Sequence, residues 1–174
     1  MKSVCAWCKS DIGEIKEDHE SFEITHGICD KCVKNLLSEN SKSMHEFLDS
    51  LAVPVVVIEP GVKVRTGNKY AKILLGKELS EIEDTRHGDI IECVHSHAPG
   101  GCGSDVHCKS CVIRNTVTKT FDTGKSFTNI PAYPDIEILS KVKSMCFTIS
   151  TEKVGEFVLL RIDNVKENQS HPIE

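Results

Sequence analysis

The spacing of the cysteines constrains this chain more than any other feature of its sequence. Nine cysteines occur in 174 residues, and all but Cys146 fall into two groups of four. The N-terminal residues lack the apolar core of a signal peptide, so we expect a cytoplasmic protein. Clustered thiols in the reducing cytosol bind metal more often than they form disulfides. The sequence therefore predicts two metal sites, with Cys146 as a buried thiol in a strand-like run.

The first group consists of two CxxC pairs separated by twenty residues. Each pair places two sulfurs on one tight turn, and two such turns can enclose Zn²⁺ in a tetrahedron of thiolates. A segment of about 35 residues buries too little apolar surface to fold without such a centre. We therefore expect a zinc-ribbon-like four-cysteine module at residues 1–35, with one structural Zn²⁺ held by Cys5, Cys8, Cys29 and Cys32.

Charge argues against a nucleic-acid partner for this module. Residues 1–35 hold five Lys and seven Asp or Glu, a net charge of -2, and the whole chain carries -5. Both values disfavour contact with phosphates. The longest apolar run, residues 53–58, is broken by Pro54 and is far too short to span a bilayer. We expect neither nucleic acid nor a membrane as a partner.

The first module also resembles a short cysteine module found beside sensor domains in bacterial signalling proteins. The resemblance rests on the pattern CxWCK followed by HGICxxC. The matching residues are Cys5, Trp7, Cys8, Lys9, His26, Gly27, Ile28, Cys29 and Cys32.

The second group lies in the stretch CVHSHAPGGCGSDVHCKSC, residues 93–111, and consists of Cys93, Cys102, Cys108 and Cys111. The glycines of PGGCG allow positive φ angles and a close wrap of the backbone around a bound group. The last two thiols precede a predicted helix, whose N-terminus favours thiolates. Three interpretations stay open: a four-thiolate zinc site, an iron–sulfur cluster on the same thiolates, or a thiol pair that switches by disulfide formation.

Three histidines in this stretch are further candidate ligands. His107 is the nearest competitor, since its replacement of one cysteine would give a zinc site of three thiolates and one imidazole. His95 and His97 could also contribute, although histidines on loops are commonly solvent-exposed.

The connector at residues 36–51 has a helical period. The apolar positions alternate in spacing between four and three residues, which is typical of the seam of a coiled coil. One position of this seam is polar and would fix the register of the paired helices. This pattern predicts a parallel homodimer; a single amphipathic helix that packs on its own domain explains it equally well. The seam consists of Val33, Leu37, Asn40, Met44, Phe47 and Leu51.

From residue 52 the pattern predicts an α+β domain. A buried strand closed by a Pro-Gly turn is followed by a second strand and a short helix, capped by Asn68 and ended by Gly76. A longer helix follows the second cysteine group and ends at Gly124. Three strands finish the domain, giving an antiparallel sheet with helices on one face. These strands are predicted at Ser126–Ala132, Leu139–Thr151 and Glu156–Asp163.

This part of the chain resembles the PAS family of sensor domains. The resemblance rests on LDSLAVPVVVIEPGVKVRTGNKYAKILLGKEL at residues 48–79 and on FVLLRIDNV at residues 157–165. It implies a five-stranded antiparallel sheet with covering helices, a sensing pocket between them, and output through flanking helices, often in dimers. We therefore expect a PAS-like sensor domain at residues 52–166, followed by a tail at residues 167–174.

These observations predict a cytoplasmic sensory module, metal- or redox-responsive, that is not an enzyme. Only nine residues follow Val165, so we expect the signal to pass to a separate protein such as a kinase or regulator. One alternative is a structural, zinc-stabilised interaction adaptor with no sensing role. The last is a thiol redox enzyme using Cys108 or Cys111, ranked lowest because thioredoxin-like CxxC motifs occur in a βαβ context.

Overall fold

The computed structural model describes residues 2–5, 10–14, 25–27, 29, 31–32, 41–138 and 141–167. The chain divides into two compact units, Met1–Ala52 and Val53–Glu174. Within these described ranges, no helix is both long enough and apolar enough to cross a membrane.

The first unit contains a three-stranded sheet and a helix. Its elements are β1 (Lys2–Cys5), β2 (Asp11–Glu14), β3 (Thr25–Gly27) and α1 (Ser41–Ser50). Strand β1 lies in the middle of the sheet, antiparallel to β2 and parallel to β3. The Cys5 N–H donates to the Ser10 carbonyl at 2.7 Å. This bond places Ser10 beside the end of β1.

Helix α1 carries the last part of the predicted seam. Phe47 and its neighbour Leu48 are buried, and Met44 is partly buried. The burial of two adjacent residues makes the apolar face wider than a strict coiled-coil seam. Val33 and Leu37, like the seam's polar Asn40, lie outside the described residues, so the pairing of connector helices stays a prediction.

The second unit is built on an antiparallel sheet. Its strands are β4 (Val55–Glu59), β5 (Lys63–Gly67), β6 (Phe127–Ala132), β7 (Asp135–Ile138), β8 (Lys141–Val154) and β9 (Phe157–Glu167). The order across the sheet is β5-β4-β9-β8-β6, and β7 also pairs with β8. Every pairing is antiparallel.

Strands β6 and β7 form one interrupted edge of this sheet. Ala132 pairs with Phe147 and Asp135 pairs with Ser144, so the register is the same on both sides of the break. The Pro134 carbonyl still accepts from the Met145 N–H at 3.1 Å. The sheet therefore has five strand positions, as predicted, while β7 itself was not predicted.

Asn68 joins β4 to the helix that follows β5. Its buried side-chain oxygen accepts from the N–H of Val55 at 3.0 Å and from that of Ala71 at 2.9 Å. Its amide nitrogen donates to the Val53 carbonyl at 2.8 Å. The predicted cap is confirmed, and so is the predicted stop at Gly76, whose φ of 63° is left-handed.

The helices are α2 (Lys69–Leu75), α3 (Leu79–Ile82), α4 (His87–Ile90) and α5 (Val112–Thr123), with 3₁₀ turns at Val94–His97 and Val106–Lys109. Helix α5 ends at Gly124, as predicted, and its Ile113 and Val117 enter the core with the sheet residues. Thr120 Oγ1 lies 2.7 Å from Thr151 Oγ1 of β8 in a buried contact. The predicted fold class, α+β with an antiparallel sheet and covering helices, is confirmed.

Cys146 differs from the sequence expectation. It is only partly buried, whereas its neighbour Phe147 and the alternate residue Ile149 belong to the core. Successive side chains of a strand point to opposite faces of the sheet. Cys146 therefore lies on the less buried face of β8.

Candidate functional site

A cavity of about 340 Å³ adjoins α4, the loop that follows it and the start of α5. The interrupted sheet edge, residues 132–135, forms part of its wall. Its size is that of a small-ligand or cofactor pocket. All four cysteines of the second group line it, together with two residues that the sequence did not single out. The lining includes His87, Cys93, Ser96, Cys102, Cys108 and Cys111.

Four local structures bring the distant cysteines to this cavity. Cys93 pairs with Ile136 of β7 in an isolated bridge. Cys102 lies in the glycine-rich loop, Cys108 in the second 3₁₀ turn, and Cys111 is the N-cap residue of α5. The loop glycines before and after Cys102 have φ angles between 74° and 97°, as the sequence predicted for a close backbone wrap.

His87 occupies the inner end of the cavity. It is the first residue of α4 and is only 3% exposed. Its Nε2 lies 3.8 Å from Cys102 Sγ and 3.9 Å from Cys111 Sγ. The imidazole therefore stands between two thiols that are nine residues apart in the sequence.

Two buried polar atoms at the cavity have no hydrogen-bond partner. They are His87 Nδ1 and Ser96 Oγ, and no other buried side-chain nitrogen or oxygen in the described residues lacks a partner. A buried polar atom without a partner is costly, and its presence in a native site calls for a bound group or water. The cavity therefore offers two unpaired polar atoms, in addition to the thiols, to a bound group or water.

The buried groups at the cavity favour their neutral forms. Burial is the largest influence on His87 and lowers its pKa to about 4, with Arg114 and Arg86 acting in the same direction against Asp89. A neutral imidazole has a free lone pair on one nitrogen, which is the state that binds metal. At neutral pH His87 is therefore a potential ligand.

Burial is also the largest influence on the pKa values of two of the thiols. It raises the pKa of Cys102 to about 11, against the Gly88 N–H that donates to its sulfur. Burial likewise raises the pKa of Cys93. Cys108 and Cys111 add to both shifts, so the four thiols lie close enough to repel one another as thiolates. A cation among them would remove this penalty.

Donors and positive charges surround the loop that carries Cys102. The Gly103 N–H donates to Cys108 Sγ at 3.3 Å, as expected for the glycine-rich turn. Arg86 donates to the Cys102 carbonyl. Arg114 lines the cavity from the first turn of α5. These groups can compensate the negative charge of a thiolate-bound centre.

The sulfurs of the second group do not form a compact cluster by themselves. Among the described residues, only two groups of three place their potential ligand atoms within 4.8 Å of one another, and neither contains His87 or a cysteine of the second group. The four thiols thus share a cavity whose inner end His87 occupies.

His107, the predicted substitute ligand, lies at the rim of the cavity. Its side chain is 63% exposed, and its Nδ1 is 3.1 Å from Asp105 Oδ1. His95 Nδ1 is 3.5 Å from the same oxygen, and these three residues form one of the compact groups. His97 instead approaches Glu137 at 3.7 Å. The structure thus places His107 with Asp105 and His95, and puts His87 beside the thiols.

The first cysteine group forms the other compact cluster. Cys5 and Cys32 are buried and Cys29 is partly buried, with their sulfurs within 4.8 Å of one another. The Cys29 N–H also donates to Cys5 Sγ at 3.4 Å. Cys8, the fourth predicted ligand, lies outside the described residues. Three of the four predicted donors are therefore close together.

Sequence reasoning missed His87 because it lies outside the stretch at residues 93–111 and belongs to no recognisable ligand motif. It precedes Cys102 by 15 residues and belongs to the segment RHGD. Its burial depends on the packing of α4 beside the glycine-rich loop. The one available signal was a histidine close in sequence to the cysteine group.

No family model and no curated protein matches this chain. Among solved structures, it is similar to the PAS domain of nitrogen regulation protein NR(II) from Vibrio parahaemolyticus, with 12% identity, coverage of 72% of this chain and 97% of that one, and a TM-score of 0.44. A Rhodobacter sphaeroides LOV protein matches with 10% identity, 73% and 65% coverage and a TM-score of 0.49. The PAS domain of Bordetella pertussis BvgS matches with 8% identity, 76% and 89% coverage and a TM-score of 0.43. At these identities the likeness concerns the fold alone.

Proposed function

We propose that this chain is a metal- or redox-responsive sensory module. The observation that carries the proposal is the cavity at the start of α5, which is lined by all four cysteines of the second group. In this proposal Cys93, Cys102, Cys108 and Cys111 supply the thiolates for Zn²⁺ or an iron–sulfur cluster. Such a centre would supply positive charge that lets buried thiols ionise.

The donor set fits a thiophilic metal. The thiols are buried or partly buried, backbone N–H groups point at Cys102 and Cys108, and arginines flank the loop. A cavity of about 340 Å³ exceeds the space of a single ion, so a cluster also fits. Cys5, Cys29 and Cys32 support a structural Zn²⁺ in the first unit, with Cys8 as the proposed fourth ligand.

The response would reach the rest of the chain through α5. Cys111 is the N-cap residue of this helix, and Cys108 lies in the turn before it. When Cys108 and Cys111 bind the centre, they hold the N-terminal end of α5 in place. When these cysteines are oxidised or released, only the packing of α5 on the sheet holds this end. A shift of a packed helix is a common switching element.

We further propose a cytoplasmic homodimer that signals to a separate protein such as a kinase or regulator. The alternating four- and three-residue spacing of the predicted seam supports the dimer. The resemblance to PAS sensor domains supports the class of partner. In this proposal the chain is not an enzyme.

Anaerobic purification, elemental analysis and a visible spectrum test the metal content directly. The proposal expects one zinc from the first site and, at the second site, either a second zinc or iron with sulfide absorption. Hydrogen exchange with and without a chelator then tests the response. We expect faster exchange in α5 after metal removal, with β4 and β9 as unchanged internal references.

A structural adaptor predicts a different exchange pattern. Removing the metal would then loosen residues 93–111 while exchange in α1 and α5 stayed the same. That result would reject sensing and retain the metal site. A second unit that binds no metal at all would reject the metal-based proposal and favour a thiol switch.

A further inference from the structure

We propose that His87 is a ligand of the metal centre in the cysteine-lined cavity, alongside Cys102, Cys108 and Cys111. This inference rests on the proposed function, because it requires a metal at that cavity, and it revises the ligand set to one imidazole and three thiolates. Cys93 then remains a wall residue outside the coordination sphere. The observation behind it is the position of one buried imidazole between two thiols.

The distances fit mixed coordination. In a tetrahedral zinc site with Zn–S of about 2.3 Å and Zn–N of about 2.0 Å, a nitrogen and a sulfur ligand are about 3.5 Å apart. His87 Nε2 lies 3.8 Å from Cys102 Sγ and 3.9 Å from Cys111 Sγ. Cys102 Sγ and Cys111 Sγ lie more than 4.8 Å apart. They would have to approach each other to about 3.8 Å for all three atoms to bind one ion.

The burial of His87 also points to a bound group. The ring is 3% exposed, its Nδ1 has no partner, and its Nε2 has only sulfur neighbours at the distances above. Thiols are weak hydrogen-bond partners, so the buried ring is poorly satisfied by the protein. A metal ion on Nε2 would bind the lone pair that faces the two sulfurs, and Nδ1 would then carry the ring proton, for which a water molecule is the expected acceptor.

Cys108 completes the set through its pairing with Cys111. The two form a CxxC turn, which presents two sulfurs to one ion. The Gly103 N–H already donates to Cys108 Sγ, as a loop that supports a thiolate ligand would do.

The ligand set also changes the charge of the centre. Zn²⁺ with four thiolates has a formal charge of minus two, whereas a neutral imidazole in place of one thiolate reduces it to minus one. Arg86 and Arg114 are the nearby cations, and a Cβ placed on Gly103 would lie 3.4 Å from Arg86 Nη1 and 3.7 Å from Arg114 Nε. The mixed set therefore needs less compensation in a buried site.

X-ray absorption at the zinc edge of Zn²⁺-loaded protein tests this assignment without altering His87. The full chain carries Cys29→Ser to empty the first site, so the spectrum reports only the second centre. We expect three sulfurs at about 2.3 Å and one nitrogen at about 2.0 Å. A shell of four sulfurs without nitrogen would overturn the role of His87 and leave the proposed metal function intact. Absence of zinc from this centre would overturn the assignment of His87, and absence of both zinc and iron by elemental analysis would overturn the proposed metal function as well.

Zinc titration of variants provides an independent test. His87→Gln should weaken Zn²⁺ binding at the second centre by at least roughly tenfold, as expected for loss of a ligand. His107→Gln is the matched control, because it removes an exposed histidine at the cavity rim, and it should leave affinity unchanged. Cys93→Ser should retain the ion. Loss of zinc in Cys93→Ser together with its retention in His87→Gln would contradict the proposed set.

Discussion

Gly88 and Cys102 approach each other so closely that a Cβ on Gly88 would lie 2.6 Å from Cys102 Sγ. The Gly88 N–H donates to the same sulfur. Because Gly88 follows His87 directly, this contact holds the glycine-rich loop against the imidazole. A residue with no side chain is therefore required at this point of the site.

We expect Gly88→Ala to displace Cys102 and to weaken Zn²⁺ binding at the second centre by roughly tenfold or more. The new methyl group has no space beside the sulfur. Gly67→Ala is the matched control, since its Cβ would meet no atom closer than 3.4 Å. Zinc titration of both variants measures the effect. Equal affinity in Gly88→Ala and wild type would show that Cys102 is not a ligand.

Loss of the first site should affect the first unit alone. Cys29→Ser removes one of three adjacent sulfurs, so we expect one zinc fewer per chain and unfolding of residues 1–35. The second unit should keep its dispersed NMR signals. Cys146→Ser, at a cysteine outside both groups, should retain the full zinc content. Unchanged dispersion of the signals from residues 1–35 in Cys29→Ser would contradict a structural zinc.

Charges on the connector helix should dissociate the proposed dimer. The double substitution Leu37→Glu, Met44→Glu would place two carboxylates in the predicted seam. Burying these charges without partners is unfavourable. We expect a monomer by light scattering at micromolar concentration. Glu46→Lys, on the exposed face of α1, should leave the dimer intact. A wild-type protein that is already monomeric at that concentration would disprove the dimer.

Replacement of Asn68 should destabilise the second unit. Asn68→Ala leaves the N–H groups of Val55 and Ala71 without their acceptor and the Val53 carbonyl without its donor. We expect a loss of about 2 kcal/mol in the free energy of unfolding, measured with urea. Asn164→Ala, an exposed asparagine in β9, should change it by less than about 0.5 kcal/mol. Similar losses in both variants would show that the bonds of Asn68 contribute little.

Local patterns were sufficient to predict most elements of the second unit. Asn68 and Gly76 mark the ends of α2 because cap and left-handed positions have strong residue preferences, and Gly124 marks the end of α5 in the same way. Strand β7 was missed, because the predicted strands left residues 133–138 between Ala132 and Leu139 without an element. The alternation in DIEI was the signal for it, and pairing with β8 decides the outcome.

The sequence by itself marked eight cysteines as candidate metal ligands, since thiols in CxxC pairs and beside a glycine-rich loop are local features. Only the tertiary structure decided that His87 faces Cys102 and Cys111 while His107 pairs with Asp105. The physical reason is that burial and distance across a cavity depend on how α4, the loop and α5 pack together, and no spacing within the sequence encodes that arrangement directly.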